Sequence, residues 1–184
     1  LPHLDGESSA ANLGSNTTVI PDVDGDGLDE VMLNNLKNDG KVYLFLGRAS
    51  WGDMNVLDGD LIIHPSLEDD EFGEDLASGD YDGDGYGDVV ITAHASDAVT
   101  TNTGSTYLFL GANLTMGEMD TTEADTHWIG ANYDDELGTS VANIGDADGD
   151  GLDDIVITSK NDDNNGTEAG AAFLFSSLAD LGGT

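Results

Sequence analysis

The chain has no cysteine. No disulfide staples it, no thiol can serve as a nucleophile, and that absence alone assigns no compartment. Basic residues are almost as scarce: Lys37, Lys41, Arg48 and Lys160 stand against 38 acidic residues, giving a formal charge of −34. A surface of that sign argues against nucleic acid and against anionic membranes, since both are met by a basic face. There is no signal peptide and no apolar run of about 18 residues, so no membrane insertion is expected. The opening Leu1-Pro2-His3-Leu4 reads as a processed start or an excised fragment. No Gly-x-Ser-x-Gly elbow and no phosphate-cradling glycine loop with lysine occurs, and the patterned acids have a metal role to fill, so no enzyme is expected. No Arg-Gly-Asp tripeptide is present.

What is there is a repeat. An acidic loop runs three times into an apolar strand: Asp22-Val-Asp24-Gly-Asp26-Gly-Leu-Asp-Glu30, Asp80-Tyr-Asp82-Gly-Asp84-Gly-Tyr-Gly-Asp88 and Asp146-Ala-Asp148-Gly-Asp150-Gly-Leu-Asp-Asp154. Carboxylates at loop positions 1, 3, 5 and 9 converge when glycines at 4 and 6 let the loop curl. A hard cation that prefers oxygen fits there, calcium ahead of magnesium because magnesium demands a tighter octahedron. The acids recur between apolar strands, which argues against disorder despite the charge. An EF-hand needs a glutamate at position 12 and flanking helices. Position 12 is Leu33, Ile91 or Ile157, each inside a strand-like run.

The loops start about 60 residues apart, and each sits in the same surroundings. Leu13-Gly14, Phe72-Gly73 and Leu137-Gly138 precede a short strand. Val31-Met-Leu33, Val89-Val-Ile-Thr92 and Ile155-Val-Ile-Thr158 follow the loop. Third strands read Gly40 to Gly47, Gly104 to Gly111 and Gly170 to Ser176, and fourth strands Leu61 to His64 and His127 to Gly130. Short β-branched runs bounded by turn residues argue strand. Four antiparallel strands per unit is the arithmetic of a β-propeller blade. The expected fold is therefore all-β, with three four-stranded antiparallel propeller-type blades in one array: repeat one about 13–64, repeat two about 72–130 and repeat three about 137–177. No helix of useful length is expected, beyond a turn within 113–125.

Leu1 to Leu4 matches a fourth-strand slot, while the third repeat lacks a fourth strand. Three blades are too few to close a ring. The expectation is an open or partial propeller completed by strand exchange with another copy, head to tail, giving a ring or a filament.

Phe72-Gly73, the aspartate loop and the Gly104 to Gly111 strand together resemble the FG-GAP repeat of integrin alpha-subunit heads and related bacterial proteins. The resemblance covers nearly the whole chain. It implies propeller blades with one calcium ion in the hairpin between the first two strands of each, three Ca2+ sites in all. Carried over by position, the implied ligands are Asp22, Asp24, Asp26 and Glu30; Asp80, Asp82, Asp84 and Asp88; and Asp146, Asp148, Asp150 and Asp154. Backbone carbonyls of Leu28, Tyr86 and Leu152 fill the seventh position. Glu30 stands where aspartate is usual and marks the first site as the odd one. The resemblance implies an extracellular or cell-surface structural or adhesive protein. The alternative is a fragment of a larger integrin-like propeller that binds a protein or glycan.

His3, His64 and His127 in comparable segments read as repeated packing positions in preference to a zinc ladder, and Trp51 and Trp128 as partly buried packing in preference to ligand platforms. Asn16, Asn113 and Asn165 head glycosylation sequons.

Overall fold

The computed structural model describes residues 2–7, 12–36, 40–66 and 71–176. In chain order its strands are β1 (Leu4–Asp5), β2 (Leu13–Ile20), β3 (Glu30–Asn35), β4 (Lys41–Phe45), β5 (Met54–Asn55), β6 (Leu61–His64), β7 (Leu76–Gly79), β8 (Asp88–Ala93), β9 (Ser105–Phe109), β10 (Gly117–Asp120), β11 (Thr126–Ile129), β12 (Leu137–Gly145), β13 (Asp154–Ser159) and β14 (Ala171–Phe175). Among the described residues the only helical pieces are 3-10 turns at Val56–Asp58, Gly111–Asn113 and Thr121–Glu123, and none is long and apolar enough to cross a membrane.

The strands form sheets in the order β10-β6-β4-β3-β2, β11-β9-β8-β7 and β12-β13-β14, with β1 and β5 as a separate pair, and none closes into a barrel. The middle sheet is the four-stranded antiparallel unit that the sequence predicts. The first sheet gains a fifth strand: β10 leaves the second repeat, pairs in parallel with β6, and the chain returns to build β11. A polar stretch with one buried residue, Met119, gives no strand periodicity, so the sequence does not show it. In the third sheet, three strands fall among the described residues.

The sheets stack face to face. Between the first and second lie Ile20, Met32, Leu44, Leu61, Val89, Ile91, Phe109 and Phe72, all buried. Between the second and third lie Val90, Leu108, Val141, Ile155 and Ile157. The aromatic-glycine signature has a physical reason at this seam. A Cβ on Gly40 would stand 2.0 Å from the Phe72 carbonyl oxygen, and one on Gly104 would stand 2.2 Å from that of Leu137. The starts of the third strands of the first two repeats thus abut the aromatic- or leucine-glycine pair of the next repeat.

The first strands are tied together by one carboxylate. Asp75 accepts from Asn16 Nδ2 with one oxygen, and from Ser140 Oγ (2.7 Å) and the Val141 N–H (2.9 Å) with the other. A residue just before β7 therefore links all three sheets.

The amino-terminal segment pairs within its own chain along one edge. Leu1 lies outside the described residues. Leu4 and Asp5 pair in parallel with Met54 and Asn55 of the same chain, and the His3 carbonyl accepts from the Met54 N–H at 3.1 Å. Leu4 packs with Trp51, Met54 and Ile62 over buried Leu33, Tyr43 and Phe45. Glu7 anchors the segment by accepting from Tyr43 Oη (2.6 Å) and Lys41 Nζ (2.9 Å). Those two partners, the tyrosine hydroxyl first, hold the Glu7 carboxyl below its ordinary pKa. The histidines do not share one register position: Ile62 opposes Tyr43 where His127 opposes Tyr107, so His64 falls two residues further along its strand.

Candidate metal centres

Each acidic loop joins the first strand of its sheet to the second. Glycines at positions 4 and 6 all have φ between 77° and 95°, a left-handed backbone closed to most side chains. That double turn folds the aspartates inward and lets them grip their own loop. Asp24 accepts from the Asp26 N–H and Asp26 from the Leu28 N–H; the same pair of bonds recurs at Asp82 and Asp84, and at Asp148 and Asp150. Position 1 accepts from position 6 in every loop, Asp22 from Gly27, Asp80 from Gly85 and Asp146 from Gly151. Leu28, Tyr86 and Leu152 at position 7 thus donate their N–H groups to position 5.

Carboxylate oxygens within 4.8 Å of one another come from Asp22, Asp24 and Asp26 in the first loop, from Asp80, Asp82 and Asp88 in the second, and from Asp146, Asp148 and Asp154 in the third. Nine of the twelve carboxylates singled out in the sequence are therefore gathered in three groups, while Glu30, Asp84 and Asp150 stand outside them. The first loop is the one that differs, and it is the one with glutamate at position 9.

Position 9 has a second task that spacing does not reveal. Glu30, Asp88 and Asp154 are fully buried at the start of the second strand. Each accepts the N–H of position 2: Val23 to Glu30 at 2.5 Å, Tyr81 to Asp88 at 2.7 Å and Ala147 to Asp154 at 2.6 Å. Gly111 donates to the other oxygen of Asp88 at 2.8 Å, and Gly47 to that of Glu30 at 3.4 Å. In the third loop the second oxygen, Oδ1 of Asp154, is buried without a hydrogen-bond partner. Burial, with neighbouring loop carboxylates adding to it, raises the pKa of Glu30 and pushes that of Asp88 up to about 7. Asp82 is raised as well, again mainly by desolvation. Crowded, half-desolvated carboxylates of this kind favour either a proton or a cation. An orphaned buried oxygen next to Asp146 and Asp148 fits a cation, since an unpaired buried acceptor is otherwise costly.

The three loops also touch in series. Tyr86 at position 7 of the second loop leans over Gly25 at position 4 of the first, and Leu152 of the third leans over Gly83 of the second. Position 8 reaches position 1 of the preceding loop or the residue before it. A Cβ on Gly87 would meet the Pro21 oxygen at 2.2 Å. Asp153 makes two hydrogen bonds with Asp80, its N–H donating at 3.2 Å to the Asp80 carbonyl while its carboxylate accepts the Asp80 N–H. The sequence contained one signal of this contact: position 8 is aspartate in the first and third loops and glycine in the second.

A further group, Glu71, Glu74 and His94, brings ligand-type atoms together. His94 Nε2 lies 3.5 Å from Glu71, and the corresponding pair in the third repeat is the ion pair of Lys160 with Glu136. This is a brace between equivalent positions. Trp128 packs against Phe175 with centroids 4.8 Å apart, and Trp51 against Phe45 at 6.4 Å. Both tryptophans are partly buried, and Arg48 lies over the Trp51 ring at 4.9 Å.

No curated protein matches the chain. The family model of the FG-GAP repeat matches residues 72–109 and 137–175. The first stretch holds most of the middle sheet with its acidic loop, and the second holds the whole described third sheet with its own. By sequence match, residues 72–109 and 137–175 of this chain are similar to the FG-GAP repeat.

Proposed function

We propose that the protein is a calcium-stabilised structural or adhesive module of the extracellular space or cell surface, built of propeller-type blades and without catalytic activity. The observation behind this reading is the trio of carboxylate clusters, strung along one row of loops and including the unpartnered buried oxygen of Asp154. Asp22, Asp24 and Asp26, then Asp80, Asp82 and Asp88, then Asp146, Asp148 and Asp154 would hold one ion each. The ion would neutralise the repulsion within each cluster, and because it binds the folded loop it would add stability by mass action. Loops of modest affinity fill where calcium is millimolar, which favours an extracellular setting. FG-GAP repeats support the same setting by family. Self-association, head to tail, belongs to this reading, because the described strands leave open sheet edges at both ends of the stack.

The test is calorimetric. Calcium titrated into metal-free protein should bind at three sites, and chelator should lower the melting temperature by well over about 5 °C. An unchanged melting temperature after verified metal removal would overturn the reading. A second reading, a segment of a larger propeller that binds a protein or glycan, is favoured by β1, which holds the position of a fourth strand from a further sheet. Finding further repeats flanking this segment in the intact gene product would decide for it.

A further inference from the structure

The pairing registers reveal what β1 is. In the second repeat, β10 runs parallel to β6, with Met119 opposite Ile63 and Asp120 opposite His64. In the first repeat, β5 runs parallel to β1, with Met54 opposite Leu4 and Asn55 opposite Asp5. Asp120 and Asn55 each cap a 3-10 turn through the same reciprocal capping box. β10 and β5 are thus equivalent, and so are β6 and β1. β1 is a fourth strand already attached along one edge. Its other edge, which in β6 meets a third strand, has no strand paired to it among the described residues.

The complementary edge lies at the far end. β14 is a third strand with no fourth beside it among the described residues. Phe173 and Leu174 are exposed by 37% and 58%, and a cavity of about 210 Å3 opens between Trp128, Ile129, Phe173 and Phe175.

We propose that the partner of the β14 edge is the Pro2–Asp5 segment of a second copy, added antiparallel in one register, a reading that rests on the head-to-tail self-association above. The register follows from equivalence. Phe45, Phe109 and Phe175 oppose Val31, Val89 and Ile155 in their respective sheets, which aligns the third strands. Trp128 opposes Thr106 and Ile63 opposes Val42, so Leu4 comes to lie opposite Ala172. His3 then falls opposite Phe173. Its counterpart in the middle sheet, His127, stacks on Tyr107 with centroids 4.3 Å apart and planes inclined by 17°. His3 makes the same stack on Phe173, at the mouth of the cavity beside Trp128. Leu4 keeps its packing on its own first sheet, which is carried onto the face of the third sheet that presents Leu174. Added backbone hydrogen bonds close two open edges at once. Pro2 lacks an N–H and sits at the strand start, where none is required. The charge of −34 on each copy opposes the contact, so it forms with calcium bound and salt present.

The experiment uses the absence of native cysteine. Proteins bearing His3→Cys and Phe173→Cys are mixed in calcium and salt under mild oxidation. Directly opposed antiparallel residues are about 4.5 to 5.5 Å apart at Cα, within disulfide reach. The expected result is a cross-linked dimer from that pair and from Leu4→Cys with Ala172→Cys, a second opposed pair in the same register. Little product is expected from His3→Cys with Leu174→Cys, which faces the opposite side. Sedimentation of the unmodified protein runs alongside. Assembly with no cross-link at either predicted pair, or with the Leu174 pair cross-linking best, overturns the register and leaves self-association standing. A monomer at high concentration in calcium overturns self-association, and the register with it.

Discussion

The middle and third sheets are written in nearly the same residues and are buried very differently. Tyr107-Leu108-Phe109 in β9 corresponds to Phe173-Leu174-Phe175 in β14, and Val89-Val90-Ile91 in β8 to Ile155-Val156-Ile157 in β13. Every residue of β8 and β9 is buried, polar ones included. In β14, Ala172, Phe173 and Leu174 are exposed, and the strand has no fully buried position. Composition does not set burial here. Sheet neighbours on both faces do, and among the described residues the third sheet has a neighbour on only one.

The sharpest break of that comparison is a matched pair of truncations. Phe109→Ala empties a fully buried site between two sheets and should cost about 3 to 5 kcal/mol. Phe175→Ala, at the equivalent and half-buried position, should cost less than about 2 kcal/mol in monomeric protein, because the edge can relax. Urea unfolding of both variants at low concentration measures the difference. Equal losses would mean that the third sheet is covered in solution.

A smaller effect tests the row of loops. Gly87→Ala places a methyl group against the Pro21 oxygen, so the second loop must move off the first. Overpacking of this kind costs about 1 to 3 kcal/mol. Calcium titration should show weakened binding at the first loop as well as the second, while the third, held to Asp80 by Asp153, changes least. Gly52→Ala, where a Cβ meets nothing within 4 Å, is the neutral control.

The smallest effect concerns the amino-terminal anchor. The folded-state pKa of Glu7 is depressed by Tyr43 and Lys41. Its stabilising contribution is present above the ordinary carboxylate value of 4.5 and is lost as pH falls through the lowered one. Protection of the Met54 amide, which donates to His3, relative to its intrinsic exchange rate should therefore fall as pH drops through the lowered Glu7 pKa in the native chain. Glu7→Gln should exchange faster at neutral pH and lose that acid dependence.

Much of the fold was legible in the sequence because its signals are local. β-branched runs between turn residues gave the first three strands of each repeat and the two fourth strands, within a few residues of where they lie. The carboxylates at positions 1 and 3 of each loop converge as their spacing requires, since two left-handed glycines leave the backbone little choice. The parts that stayed hidden depend on contacts between repeats. β5 and β10 are too short and polar to have a period. The links made by Asp75 and Asp153 join residues about 60 to 70 positions apart, where no local pattern reaches.

The sequence by itself determined the all-β class, the threefold repeat and the acidic loops, because each depends on backbone preference and on spacing within a few residues. Only the tertiary structure decided which carboxylates share a cluster, that position 9 is a buried acceptor at the root of its strand, and that β1 is a fourth strand attached through β5. Those outcomes turn on the order in which sheets stack and on the register in which distant strands pair. Both are fixed by packing across the seams, where one sheet supplies what the next one lacks.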